Sequence, residues 1–206
     1  MKINEVKISK ETIERNIDEF IQNECSNSII NEIISLDRIN DFTFDSVIFN
    51  NINFNNIKLD SISMIDVIFN NCDLSNQSFD KEMLTRVVFN NCKLIGTSFI
   101  DSSIKDVKFN NCICKYTNFS ASSIEHLLIK ESDFTESSFI EPEIKSIEFI
   151  NSNLTKSEFI HCKLNDVDFS NCNISGIVID TYSLKGIIVD SFQCVNLIGV
   201  LGVKVK

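Results

Sequence analysis

The sequence predicts an all-β solenoid of about eight square-sectioned coils, one strand spacing apart, and two periodicities predict it. From Phe44 to Val189 every fifth residue is large and apolar, as in Phe44, Phe49, Phe54, Leu59, Met64 and Phe69, through thirty consecutive pentads without an insertion. Neither a 3.6-residue helix nor an alternating strand generates a period of five. Fourteen of the seventeen Phe occupy this register, and the residue two before it is small or β-branched, as in Val47, Ile52, Val67, Cys72, Thr97 and Ser102. Each pentad therefore sends one large and one smaller side chain inward. The second period is twenty: Val47-Ile48-Phe49-Asn50-Asn51 recurs at Val67, Val87 and Val107 with little change. Four pentads make one coil, so equivalent side chains stack into ladders.

Residues 1–27 precede the clear repeat. Ile13, Ile17, Phe20 and Ile21 fall at helical spacing after a cap at Ser9, which predicts a short amphipathic helix over 10–23 covering the open end of the first coil. The pentad extends backwards through Ile29, Ile34 and Ile39, although it places Glu32 and Asp37 inward, so the first coil is expected to be irregular. The repeat unit is drawn as 28–190. Gly and Pro are scarce within it, so Asn, Asp and Ser are expected to turn the corners, joined by Gly96, Gly176 and Gly186. Asn51, Asn71, Asn91, Asn111, Asn151 and Asn171 share that corner position and predict an amide ladder. Gln77 and Glu82 at inward positions, and Pro142 with no N–H to give, predict local bulges.

The pentad stops at Asp190. Ser191 is placed to cap a helix bearing Phe192, Val195, Ile198 and Leu201, within a C-terminal unit of 191–206. So short a helix must pack on something. The open last coil is one candidate.

These features resemble the pentapeptide-repeat proteins: a central Phe or Leu, a small residue two before it, and Asn or Asp nearby, over about residues 28 to 190. The resemblance implies a right-handed quadrilateral β-helix. The ending, Leu184-Lys185-Gly186-Ile187-Ile188-Val189 followed by Phe192-Gln193, resembles the fluoroquinolone-resistance (Qnr-type) branch. Members of that branch are DNA mimics of type II topoisomerases such as DNA gyrase. The resemblance also implies a homodimer through the C-terminal helix, with Phe192, Val195, Ile198 and Leu201 at its interface.

Composition narrows the function. A net charge of −10 disfavours direct contact with nucleic acid, which wants clustered Lys and Arg. No apolar run approaches the roughly eighteen residues of a membrane span, and Met1 to Asn16 lacks the apolar centre of a signal peptide. A cytoplasmic, reducing location is expected. Cys72, Cys92, Cys112 and Cys172 fall in one inward column, which reads as interior filling rather than a metal site, because a column supplies no tetrahedral ligand set. His126 and His161 sit at outward corners on different sides, with no Cys or Ser partner. With no phosphate-cradling loop or facing carboxylate pair either, neither an enzyme, a metal nor a cofactor is expected, and recognition is.

Sorting outward residues by side isolates one acidic stripe: Asp60, Asp80, Asp101, Glu141, Glu158 and Asp180 against Lys58 and Lys81. It is the expected partner-binding face. Duplex DNA carries about one charge per 1.7 Å, so a rod of roughly 38 Å would need some twenty charges, and the stripe nets four. Mimicry would be of shape more than charge. The side of Met64, Leu84 and Ile104 mixes Asp66, Asp106 and Asp166 with Arg86, Lys105, Lys145 and Lys185 and reads as ordinary solvated surface. An alternative function is a protein-binding adaptor using the outward apolar residues Ile48, Ile68, Val88 and Leu128.

Overall fold

The computed structural model describes residues 2–16, 24–32 and 36–204. They form a parallel β-solenoid closed at its C-terminal end by one short helix. An eight-stranded sheet bends around one corner of the coils: β1 (Ile13–Glu14), β2 (Glu24–Ile30), β3 (Arg38–Asn50), β4 (Lys58–Asn70), β5 (Met83–Asn90), β6 (Ser103–Asn110), β7 (Ser123–Lys130) and β9 (Glu143–Ile150). A three-stranded sheet of β8 (Ser138–Ile140), β10 (Glu158–Ile160) and β11 (Val178–Ile179) lies on another side. Single bridges such as Asn53 to Asp73 to Lys93 continue the ladders where strands are too short to register. Equivalent residues pair at a separation of twenty, Phe49 with Phe69 and Asn50 with Asn70, as the sequence period requires.

The pentad builds the core directly. Phe49, Phe69, Phe89 and Phe109 stack with centroids 5.0, 5.1 and 4.8 Å apart. Phe99, Phe119, Phe139 and Phe159 stack on another side at 4.7 to 4.9 Å. Between the two columns the rings meet edge to face, as for Phe109 and Phe119 at 90°. Ring spacing therefore equals coil spacing, and each pair adds about 0.5–1.5 kcal/mol beyond its burial.

Corners fall every fifth residue in the left-handed region, and most are not glycine. Asn51, Asn71, Asn91, Asn111 and Asn151 have φ between 49° and 59°, but so do Arg86 at 54°, Ala121 at 56° and Glu141 at 54°. Asn171 does not share that conformation. The corner is thus imposed by the stacked coils on residues with no intrinsic taste for it. At Gly96, with φ of 69°, a Cβ would lie 2.9 Å from the Asn76 side-chain oxygen, so that side chain would have to swing aside to admit it. The Asn51–Asn71 and Asn91–Asn111 amide contacts form, at 3.2 and 2.7 Å. A more continuous ladder runs one residue earlier, through Asn31, Asn50, Asn70, Asn90 and Asn110, at 2.9 to 3.0 Å.

Three expectations are corrected. Residues 10–16 of the expected N-terminal helix are a turn at Ser9–Thr12 followed by strand β1, while the remainder, with Ile17, Phe20 and Ile21, lies outside the described residues. The open parallel edge of β2 offers backbone partners to Ile13 and Glu14, and Ile13 is 52% exposed rather than buried on a helix face. The first coil is out of phase by one residue: Cys25 pairs with Phe44 and Ile30 with Phe49, so Ile30, not Ile29, is fully buried. That slip turns Glu32 outward, and Asp37 is also not buried. At Gln77 there is no bulge. Its side-chain amide donates to the Phe54 and Ile57 carbonyls, both at 2.9 Å, and accepts from Leu59 N–H at 3.2 Å, so its polar end is satisfied inside the coil. Strands around Glu82 likewise keep register. Beside Pro142 the strands also keep register, Ser123 with Glu143 and Ile124 with Ile144, and Glu143 N–H reaches the Ser122 carbonyl at 2.9 Å; the shift between β7 and β9 comes further along, where Glu125 pairs with Ser146.

Helix α1 (Ser191–Leu197) is capped by Asp190 rather than Ser191. The Asp190 carboxylate accepts from the Phe192 and Gln193 amides, and Gln193 returns a bond to Asp190 N–H, completing a capping box. A 3-10 turn, Ile198–Leu201, follows.

Candidate recognition surfaces

The acidic stripe is the first surface to weigh. Its six carboxylates fall within the same stretch of successive coils, because each lies within two residues of a multiple of twenty from Asp60. Their surroundings differ. Asp60 is 2.6 Å from Arg38 and 3.1 Å from Lys58, so its charge is matched on the spot. Asp80 accepts from Ile100 N–H at 2.8 Å and from the Ser98 hydroxyl. Asp180 accepts from His161 N–H and Ser183 N–H and lies 3.6 Å from the His161 ring. Burial alone would push the Asp180 carboxyl up, but these donors outweigh it and hold the group below its ordinary value. Glu158 takes a 3.3 Å bond from the Ser138 hydroxyl. Asp101 and Glu141, at exposed corners with φ of 57° and 54°, are the members most open to a partner.

At the C-terminal end, α1 rests on the last coil through Leu197 and Gln193. Gln193 repeats the move of Gln77: its amide donates to the Phe169 and Cys172 carbonyls at 2.9 and 2.8 Å, satisfying the coil end that no further strand covers. The expected interface residues lie outside this contact. Phe192 is 84% exposed, Val195 53% and Leu201 60%, with Ile198 partly covered. Ile198 and Leu201 help to line an apolar cavity of about 270 Å³, with Leu184, Ile187, Val189, Cys194 and Leu197. The other apolar candidates, Ile48, Ile68, Val88 and Leu128, are only half-exposed on the sheet, which weakens the adaptor reading.

The cysteine column is an internal hydrogen-bond ladder. Cys72 N–H donates to Cys92 Sγ and Cys92 N–H to Cys112 Sγ, both at 3.4 Å. Cys112 N–H then finds Ser132 Oγ at 3.0 Å and Ser132 N–H finds Ser152 Oγ at 3.2 Å. Thiol and hydroxyl thus fill one role. The Cys92 thiol is pushed up to about 12, chiefly by its bond with Cys112, and the Cys162 thiol to about 12 by burial. Neither is a thiolate at neutral pH, the form that attacks or ligates. All eight cysteines are free, and among the described residues no three His, Cys, Asp or Glu are placed to hold a metal ion.

Sequence reasoning missed one surface. Asp66 and Asp106, assigned to solvated surface, are 5% and 1% exposed. They lie in a corner column with Arg86 and His126, and the N-terminal segment crosses it. Asn4 N–H and its side-chain amide reach the two Asp106 oxygens at 3.0 and 2.8 Å, and Lys7 N–H reaches Asp66 at 2.8 Å. Arg86 clamps Asp66 at 2.7 and 2.6 Å, and His126 Nδ1 lies 2.9 Å from Asp106. Burial would raise the Asp106 carboxyl, but the Asn4 and His126 contacts prevail and hold it low. The Asp66, Arg86, Asp106, His126 alternation at a spacing of twenty was legible as a charge ladder. What covers it was not.

A model described as a pentapeptide repeat region matches residues 62–139, and one described as pentapeptide repeats, in 8 copies, matches residues 144–176. No curated protein matches. Among solved structures, a trypsin-treated form of QnrB1, a plasmid-mediated fluoroquinolone resistance protein, is 19% identical over 93% of this chain and 95% of its own, with a TM-score of 0.49. Full-length QnrB1 gives 19% identity, 93% and 96% coverage and a TM-score of 0.47. HetL, a pentapeptide repeat protein involved in heterocyst differentiation regulation from the cyanobacterium Nostoc sp. Strain PCC 7120, is 12% identical over 87% and 91%, with a TM-score of 0.25. The two matching family models cover more than half of the chain between them, and with thirty in-phase pentads forming stacked four-sided coils, this chain belongs to the pentapeptide-repeat proteins.

Proposed function

We propose that the protein is a non-enzymatic recognition rod that occupies the DNA-binding surface of a type II topoisomerase, DNA gyrase or topoisomerase IV, and alters its activity or its fluoroquinolone sensitivity. The observation that carries this reading is the acidic stripe of Asp60, Asp80, Asp101, Glu141, Glu158 and Asp180 along one side of a stiff rod. The sequence resemblance to the Qnr-type branch supplies the partner class. Because Asp60 is paired with Arg38 and Lys58, the stripe is less charged than its composition implies. Contact would rest on the shape of the rod and on the exposed corners Asp101 and Glu141. The protein works in the cytoplasm in this reading, where gyrase is, and does not touch nucleic acid itself.

A supercoiling titration tests it. Purified protein at micromolar concentration should change gyrase or topoisomerase IV activity, with and without a fluoroquinolone. Asp101→Lys/Glu141→Lys should weaken the effect at least tenfold, since two charge reversals at a rim act mainly on association. These corners suit the test better than Asp80, whose carboxylate also holds Ile100 N–H. Absence of any effect on supercoiling or on drug-stabilised cleavage would sink the proposal.

A further inference from the structure

We propose that the corner column Ser46, Asp66, Arg86, Asp106 and His126 is a docking track for an extended chain segment, filled in cis by residues 2–8 and open in trans to the same segment of a second copy.

The seated segment shows what the track accepts. Asp106 takes the backbone N–H and the side-chain amide of Asn4, Asp66 takes the backbone N–H of Lys7, and the Ser46 hydroxyl donates to the Lys7 carbonyl at 3.4 Å. Most of these contacts are to main chain. Glu5 adds a 2.6 Å ion pair with Lys108 on the adjoining sheet.

Spacing fits the segment to the coils. From Asn4 to Lys7 is three residues, about 10 Å of extended chain, and from Asp106 to Asp66 is two coils, also about 10 Å. The segment therefore runs along the rod axis, and one amide meets a carboxylate every second coil. Arg86, at the coil between, holds Asp66 in place from the side rather than competing for the strap.

The track is a more finished structure than the segment on it. Asp66 and Asp106 are almost fully buried, whereas no residue from Lys2 to Ile8 is buried and four of the seven are exposed. A segment anchored by a few charge-assisted bonds, and with no side chain in the core, exchanges far more readily than a coil. The site under it keeps its shape through Arg86 and His126. Exchange of an identical element between chains is a low-cost route to association.

The test uses the full-length chain carrying Asn4→Pro and Lys7→Pro, which removes both backbone donors and the Asn4 amide without touching the track. A fluorescein-labelled synthetic peptide of residues Met1 to Ser9 is the probe, read by fluorescence anisotropy. The double variant should bind it at least tenfold tighter than the wild-type chain, whose own segment competes. A peptide bearing the same two prolines should not bind, and Asp106→Asn added to the double variant should weaken binding about tenfold. No binding to a double variant of unchanged circular dichroism overturns the proposal, as does equal binding to wild type and double variant, or to the proline peptide.

Discussion

Side chains at 72, 92, 112, 132 and 152 change from thiol to hydroxyl after the third, yet they form one ladder in which each of the last four accepts from the N–H of the residue one coil before it. Cys92 Sγ also faces the Phe69 and Asn90 carbonyls at 3.4 and 3.3 Å. What this position selects is a small side chain able both to accept and to donate. Cys92→Ser should therefore change urea-unfolding stability by less than about 1 kcal/mol. Cys92→Val, equally apolar but unable to accept, strands the buried Cys72 N–H and should cost about 1–3 kcal/mol. Equal costs for the two would show that the column is mere filling. The corner residues make a related point: Arg86, Ala121 and Glu141 adopt φ near 55° because neighbouring coils fix their backbone from both sides.

At the level of elements, a solenoid must end, and both ends expose backbone groups that a next coil would have paired. The C-terminal end is closed by α1, and the closure depends on Gln193, which links the capping box to the Phe169 and Cys172 carbonyls. Gln193→Leu keeps the volume but removes both roles. It should destabilise the chain by about 2–4 kcal/mol, from two unsatisfied carbonyls and a weakened cap, measured by thermal unfolding with loss of amide-exchange protection confined to residues 169 to 201. Uniform loss of protection along the rod would contradict a closure that acts locally. At the other end β1 extends the sheet past β2, and the N-terminal segment turns back along the corner column.

For the whole molecule, the exposed Phe192, Val195 and Leu201, together with an apolar cavity lined by Ile198 and Leu201, leave an apolar surface at the C-terminal end. We propose that it pairs two rods by two-fold symmetry, doubling the length of the acidic side. Sedimentation velocity should then give a dimer, and Phe192→Glu should give a folded monomer, because a charge placed in an apolar interface finds no partner. A wild-type chain that sediments as a monomer at tens of micromolar would end this idea.

The sequence by itself determined the coil. A period of five within a period of twenty assigns an inside or an outside to almost every residue from Phe44 to Val189, and each pentad repeats the same instruction, so chance local similarities cannot mislead it. The slip it expected at Pro142 falls instead at Ser146, opposite Glu125. The ends were harder. Helical spacing at residues 10 to 21 is a local preference, and at Ile13 and Glu14 the unpaired edge of β2 overrode it, just as pairing against β3 set the first coil one residue out of phase. The satisfied interior of Gln77, the neutralised Asp60 and the strap over Asp66 and Asp106 depend on contacts between residues 18 to 102 positions apart, or on a cation beside a particular carboxylate. Periodicity states which way a side chain points. Only the tertiary structure decides what it meets there, because burial, ion pairing and hydrogen bonding depend on the neighbouring coil and on the chain ends that fold back over it.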